Sequence, residues 1–428
     1  MGDSGAYLYT AETGWVPPDR SYIYGMILMP IIGLSQNLTS VIIFQTIIGT
    51  ISSVIFALLI LKNISQNKYL VYMAAILFSL DPFQLTYERF LLTETISAFF
   101  FVVFLFLCCE ITKNKGLLWV IPLSITLAVL CVMTRTAYFP AIVVTYITGT
   151  SILILKHYLK NIQNSNISKY LPTLAVITSV PILIISLNLG KSEQSRHDGY
   201  FWISSVSPLV TEKDFIKSGL KISILEKSRA DCGSDINSRE KHRWIKGCLV
   251  SLIHQELGNH ETAVLKAKEI AKETIYKQPL QYLQLGVLTY LNFWDNKVIH
   301  TSLKRDTGIG RKLTEKFNNE LRDKYNLDYS DYHTKETVSR IYLLNSTIWV
   351  KILLITPFLL LISTLLSAKN NKPIIILLFL CCSAYIATIS LFVTDNVVRY
   401  LHPLGIFAIS SIIILIESAN IKLRKIEQ

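Results

Sequence analysis

Apolar residues run in long blocks along the chain. Nine of them, at 38–61, 69–80, 90–109, 117–133, 138–155, 171–189, 348–366, 373–393 and 397–416, are candidates to cross the roughly 30 Å of hydrocarbon in a bilayer. The block at 69–80 is short. A further short one at 22–34 opens on a Tyr-rich flank, so it reads as a helix lying in the membrane interface.

The connectors between blocks sort by charge when the start of the 38–61 span is placed outside. Inside turns then carry Lys62 and Lys68; Lys113 and Lys115; Lys156, Lys160 and Lys169; Lys369 and Lys372; and Lys422, Arg424 and Lys425. Such a distribution follows the positive-inside rule and sets the orientation. Outside lie residues 1–20, the turns 81–88, 135–138 and 394–396, and a long loop from about 190 to 343. The loop has mixed charge and aromatic residues. Over 260–276 it places Ala263, Ala267, Ile270 and Ile275 at roughly helical spacing, the pattern of a small folded domain rather than of disorder.

The expected fold is therefore an all-α polytopic membrane protein of about nine spans. It divides into an N-terminal membrane domain (1–189), a mostly α soluble loop domain on the outer face (190–343), and a C-terminal membrane domain (344–428) with a short inside tail. Composition agrees, with 51% hydrophobic and 17% charged residues. The net charge of +12 is scattered between apolar runs and massed on no one domain, which argues for topology and against nucleic acid as a partner. No leader precedes Met1, so either the short tail 1–20 crosses unaided or a first span is missing from the sequence.

Cys108, Cys109, Cys131, Cys381 and Cys382 fall inside apolar blocks and read as packing residues. Cys232 and Cys248 stand in the loop without a CxxC or His partner, and a disulfide is the sharper reading if the loop meets an oxidising compartment.

Ionisable groups close to hydrocarbon cost about 2.5–3.5 kcal/mol at a helix centre, so each asks for a reason. In the stretch Asp81-Pro82-Phe83-Gln84-Leu85-Thr86-Tyr87-Glu88-Arg89, the last two residues sit at a span mouth, with Glu94 expected one or two helical turns inside. Glu88 and Arg89 can also be read as an interfacial ion pair or a solvated helix start. Arg135 ends another span, its plain alternative being snorkelling to a head group. Arg399 precedes Tyr400 and His402 near the last span, where a structural role is the alternative. An Arg fork suits a phosphate ester because it offers several donors in a fixed plane.

Asp3 stands in Gly2-Asp3-Ser4-Gly5-Ala6-Tyr7, read as a flexible polar segment ahead of the interfacial helix. Its carboxylate can serve as general base while arginines hold an anionic leaving group, a division of labour suited to group transfer from a phosphate. Phosphate-loop, dinucleotide and HExxH patterns are missing.

Taken in order, these elements resemble the GT-C superfamily of polytopic glycosyltransferases, the group containing the aminoarabinose transferases and protein O-mannosyltransferases. The resemblance rests on Gly2-Asp3-Ser4 with Tyr7; on Asp81-Pro82, Tyr87-Glu88-Arg89 and Leu91-Leu92-Thr93-Glu94; on Arg135; on Arg399-Tyr400 with Pro403; and on 267–275 followed by Pro279 and Tyr282-Leu283. It implies a sugar donor on polyprenyl phosphate and a glycan, lipid or protein acceptor. The displacement would invert the anomeric carbon, on the periplasmic face of a bacterial inner membrane. Carried over by position, Asp3 is the general base and Glu88 and Glu94 form a second acidic cluster. Arg135, Arg399 and Arg89 bind the lipid phosphate, with Tyr7, Asp81, Tyr87, Tyr400 and His402 in support. A divalent cation is left open as a cofactor, since carboxylates suit either a base or a hard-cation ligand. Members of that family carry a spanning helix before the first-loop Asp, where only Met1 and Gly2 stand here. A polymerase or ligase of lipid-linked oligosaccharides is the neighbouring alternative. A transporter would call for repeated halves and mid-bilayer charges, which the sequence lacks.

Overall fold

A computed structural model describes residues 2–17, 20–113, 117–161, 171–192, 198–310, 312–328, 330–331, 333–335, 337–367, 371–394 and 397–426. Among these the regular structure is entirely helical. Lys115, Lys169 and Lys369 of the basic turns, and the turn residues Asp395 and Asn396, lie outside the described residues.

In chain order the helices begin with α1 (Gly2–Thr13), α2 (Tyr22–Ser35), α3 (Leu38–Asn63), α4 (Lys68–Ser79), α5 (Pro82–Tyr87), α6 (Glu94–Thr112), α7 (Leu117–Thr134), α8 (Phe139–Asn161) and α9 (Leu171–Ser192). There follow α10 (Asp198–Val206), α11 (Glu212–Ser218), α12 (Ile222–Cys232), α13 (Arg239–Trp244), α14 (Leu249–Leu257), α15 (His260–Lys277), α16 (Pro279–Asn292) and α17 (Asn296–Thr307). The chain closes with α18 (Glu315–Tyr325), α19 (Val338–Leu344), α20 (Thr347–Leu366), α21 (Lys372–Phe392) and α22 (Leu404–Ile426). Among the described residues, six helices are long and apolar enough to cross a membrane: α3, α6, α8, α20, α21 and α22. Shorter apolar helical stretches are Tyr22–Ser35, Lys68–Ser79, Trp119–Thr134 and Ile177–Leu187, the last three falling in the blocks at 69–80, 117–133 and 171–189.

Two compact units emerge. The first joins 1–191, 303–385 and 398–428; the second joins 192–302 with 386–397, which includes the last turns of α21. In the first unit, α6 is the central helix. It packs on α3, α7 and α8, and Phe101, Val102, Phe104, Leu105 and Cys108 are buried along it. The segment around Asp3 is helical, a correction to its reading as a flexible stretch. Tyr7 meets Tyr24 of α2 edge to face at 4.9 Å, and Gly25 lets the two helices close, since a Cβ there would run into Thr10. Glu12 accepts from Tyr325 Oη at 2.6 Å and pairs with Lys324, so α18 folds against α1.

Charge is sorted along this unit. At one end Lys113 Nζ donates to Lys62 O at 2.6 Å and Lys156 Nζ to Thr112 O at 3.1 Å, gathering the lysines at the ends of α3, α6 and α8. The other end of α6, 19 residues away, starts at Glu94. At 1.5 Å per residue the helix separates the two by about 28 Å, close to the hydrocarbon thickness.

The second unit has its own core, built from Ile203, Val206, Phe215, Leu249, Ile253, Ala263, Ala267, Ile270 and Ala271. The residues read as one helical face over 260–276 therefore point inward on α15. Cys232 and Cys248 are joined by a disulfide, closing a 16-residue separation between the ends of α12 and α14.

Candidate active site

The acidic end of the first unit is assembled from short elements that interrupt the spans. Asp81 caps α5, its Oδ1 accepting from Phe83 N at 2.8 Å and Gln84 N at 3.3 Å, and Pro82 is the first helical residue, where its missing N–H costs nothing. Trp349 Nε1 donates to the other Asp81 oxygen at 3.1 Å. Asp81 is thus committed to holding α5 in place, and burial raises its carboxyl to about 7.

The chain from Glu88 to Thr93 is a turn, and Glu94 is the first residue of α6. The expected depth of one or two helical turns is corrected on this point. The apolar Phe90-Leu91-Leu92 run mimics a span, but its carbonyls are satisfied from elsewhere: Gln45 Nε2 donates to Tyr87 O at 3.2 Å and Phe90 O at 3.0 Å, and Ser4 Oγ donates to Leu91 O at 3.0 Å. Gln45 is itself held by Tyr24 Oη at 3.0 Å and is fully buried in α3. Non-helical backbone at membrane depth is stable only with such partners.

Three arginines and three carboxylates meet here. Asp3 lies between Arg20 (2.9 Å) and Arg399, whose Nη1 donates to Asp3 Oδ2 at 3.2 Å. Glu94 stands 3.1 Å from Arg135, both nearly sealed from solvent. Asp306, at the end of α17, accepts from Tyr87 Oη at 3.3 Å and feels the fields of Arg399 and Arg305. Burial raises its carboxyl to about 6 against those two cations. The Tyr400 ring centroid lies 4.8 Å from the Arg135 guanidinium and 5.7 Å from that of Arg399, so one aromatic ring neighbours both cations. Burial, with Asp3 and Glu94 nearby, raises the Tyr7 phenol, and burial with Asp306 nearby raises that of Tyr87; both are neutral donors at neutral pH.

His402 belongs to the same end. Its Nε2 donates to Gln84 Oε1 at 2.9 Å while Gln84 Nε2 donates to Glu88 Oε1 at 2.7 Å, which fixes the tautomer and leaves Nδ1 as an acceptor. Burial and the Arg135 charge push the imidazole down to about 3, so it is neutral.

Asp3, Glu94, Arg135 and Arg399 therefore converge, with Tyr7, Tyr87, Tyr400 and His402 around them. Glu88 and Arg89 do not join them. Glu88 turns to the Gln84 amide and against Gly49, burial raising its carboxyl to about 7, and the Arg89 side chain is exposed. An acidic cluster of Glu88 with Glu94 is not formed, nor is a Glu88–Arg89 ion pair seen among the described residues. Sequence reasoning missed Arg20, Asp306, Gln45 and Gln84. Arg20 alone carried a signal, as a cation beside the apolar α2; the other three are ordinary loop or helix polar residues until the fold places them.

Among the buried atoms at this end without a hydrogen-bond partner in the described residues are Glu94 Oε2 and His402 Nδ1, which accept, and Arg399 Nε, which donates; Arg135 Nη1 is engaged by Glu94 Oε1 at 3.1 Å. Buried polar atoms are almost always satisfied, so these are positions where a ligand or water would find hydrogen-bond partners. The set fits a molecule that offers both an anion and hydroxyl donors. Among the described residues, no group of three His, Cys, Asp or Glu stands close enough to hold a metal ion. In comparisons with protein-family models, curated proteins and solved structures, the chain matches none.

Proposed function

We propose that this chain is a membrane glycosyltransferase that moves a sugar from a polyprenyl-phosphate donor to a glycan, lipid or protein acceptor on the non-cytoplasmic side, within a GT-C-like helical bundle. The observation that carries the reading is the Asp3–Arg399 pair beside Glu94–Arg135 at the ends of apolar helices. A single lipid-anchored phosphate presented at the bilayer surface is the anion such a cluster suits. The lysine-bearing end of α3, α6 and α8 faces the cytoplasm by the positive-inside rule, which puts the cluster on the opposite face, where nucleotide sugars do not reach.

In this reading the donor phosphate takes Arg399 and Arg20 from Asp3. The Asp3 carboxylate is then free to face the acceptor that is to be deprotonated. The acceptor oxygen attacks the anomeric carbon and its proton passes to Asp3. The bond from that carbon to the phosphate oxygen breaks, its electron pair leaves with the lipid phosphate, and the sugar inverts. Arg135 and Arg399 neutralise the leaving charge, and Tyr400 keeps both guanidiniums aligned. Glu94 Oε2 and the neutral His402 Nδ1 accept from sugar hydroxyls. Since Glu88 faces Gln84, general base work falls to Asp3 alone.

The test uses the purified protein in lipid nanodiscs with a short-chain polyprenyl monophosphate as probe. Saturable binding is expected, abolished in Arg399→Ala and outcompeted by the monophosphate carrying a sugar. Equal binding of wild type and Arg399→Ala would sink the reading.

A further inference from the structure

The second unit contains a helix unlike its neighbours. Across its 14 residues, Pro-Leu-Gln-Tyr-Leu-Gln-Leu-Gly-Val-Leu-Thr-Tyr-Leu-Asn, α16 carries no charge. One face is spent inside the unit. Tyr282, Leu285, Gly286 and Thr289 are buried, Thr289 Oγ1 accepts from Arg239 Nη2 at 2.9 Å, and Tyr282 Oη donates to Leu391 O at 3.2 Å. The other face is mainly apolar, yet open: Leu280 is 75% exposed and Val287 58%, with Leu283, Leu288 and Leu291 beside them, and the uncharged Gln281 and Gln284 are exposed among them. Positions 280, 283, 287 and 291 recur at helical spacing, so this is a continuous stripe rather than scattered residues. A chargeless helix that buries one face and still leaves five large apolar side chains open on the other is poorly matched to water as its neighbour.

The unit itself says what the neighbour is. Its 386–397 segment is the end of α21, a 21-residue span with the highest mean hydropathy of the six. α16 packs on those last turns. The bare Cα of Gly286 lies against Leu391, where a Cβ would collide, and Tyr282 stands 6.4 Å from the Phe392 ring. A helix fastened to the final turn of a spanning helix is held at the level where hydrocarbon gives way to head groups. Aromatic residues bracket it, with exposed Tyr276 just before and the Tyr290–Trp294 pair (6.3 Å) at its end, the residue types that favour that boundary.

We propose that α16 is an interfacial helix whose Leu280–Leu283–Val287–Leu291 stripe is seated in the bilayer, about 5–10 Å into the boundary of head groups and acyl chains. The occupant of this face is lipid. The stripe anchors the second unit to the membrane at a point other than its chain connections, independently of what reaction the first unit performs.

The test is depth-resolved quenching on the full chain in nanodiscs. Leu283→Cys and Val287→Cys, both at exposed positions, are labelled with an environment-sensitive fluorophore; the remaining free cysteines are buried. Lipid insertion gives a blue-shifted emission that is quenched by spin label on the acyl chain and spared by aqueous iodide. Quenching by iodide without lipid quenching overturns the proposal. Protection from both quenchers overturns it as well, since it would place a protein, whether a partner or a second copy, on this face.

Discussion

Arg399 Nη1 donates to Asp3 Oδ2 at 3.2 Å across 396 residues of sequence. The pair joins the first helix of the chain to the turn before the last one. With Arg20 on its other side, Asp3 is held by two cations, and each holds a guanidinium that can be handed to a stronger anion. A phosphate monoester or diester, with more oxygens and equal or greater charge, is that stronger anion.

Arg399→Ala is therefore expected to lower turnover of a polyprenyl-phosphate sugar by about 10²–10³-fold, the usual effect of removing one donor to a developing oxyanion. Arg399→Lys keeps the charge but loses the planar fork, and should recover only part of that loss. Turnover in proteoliposomes checks both, and a fully active Arg399→Ala would remove Arg399 from the mechanism.

Glu94 and Arg135 form a pair of a different kind, with side chains 4% and 9% exposed. Glu94→Gln leaves Arg135 buried without a counter-charge, and a loss of about 3–5 kcal/mol is expected. Replacing both with leucine should restore most of it, because two desolvation penalties disappear together. Denaturant unfolding of the wild type, Glu94→Leu, Arg135→Leu and the double variant measures the coupling. Additive losses in the double variant would show that the two charges act separately.

Six of the nine expected spans are helices long and apolar enough to cross a membrane among the described residues, and these were legible in the sequence because they depend on local composition. The stretch 38–61 reads as one apolar block, and Lys62, Lys113 and Lys156, which punctuate the blocks, meet at one end of the unit. What the sequence hid was set by distant side chains. Nothing near Phe90-Leu91-Leu92 announces that Gln45 and Ser4 will satisfy its carbonyls and turn it out of helix, so Glu94 looked deeper than it is. Asp306 was hidden for a similar reason. It is one acid among many in a charged loop, distinguished only by lying beside Tyr87 and Arg399 in the folded chain.

Asp306 also gives the protein a pH dependence. Burial, the largest influence, raises its carboxyl to about 6, with Arg399 and Arg305 opposing. The folded protein keeps this proton up to about pH 6, whereas the unfolded chain releases it near the ordinary Asp value of about 3.9. The folded state thus binds more protons in that window, and this residue's contribution to stability falls as pH rises from about 4 to 6 and stays low above. Asp306→Asn should flatten that part of the profile and raise the thermal midpoint at pH 7. An unchanged profile between pH 4 and 7 would show that the site is solvated.

Gly49 of α3 tests how tightly the Glu88 side chain is set. A Cβ at this position would run into the Glu88 carboxylate and the Gln84 amide, so Gly49→Ala must push both aside and strain the His402–Gln84–Glu88 chain of hydrogen bonds. Crowding of this kind costs about 1–3 kcal/mol. The same substitution made in a Glu88→Ala background meets an empty space and should cost much less, since the main obstacle has gone. Unfolding midpoints of the two single variants and the double give the comparison. If Gly49→Ala is equally costly in both backgrounds, its penalty comes from α3 packing and the Glu88 carboxylate is free to move; if the cost vanishes without Glu88, the carboxylate is fixed in place, and His402 with it.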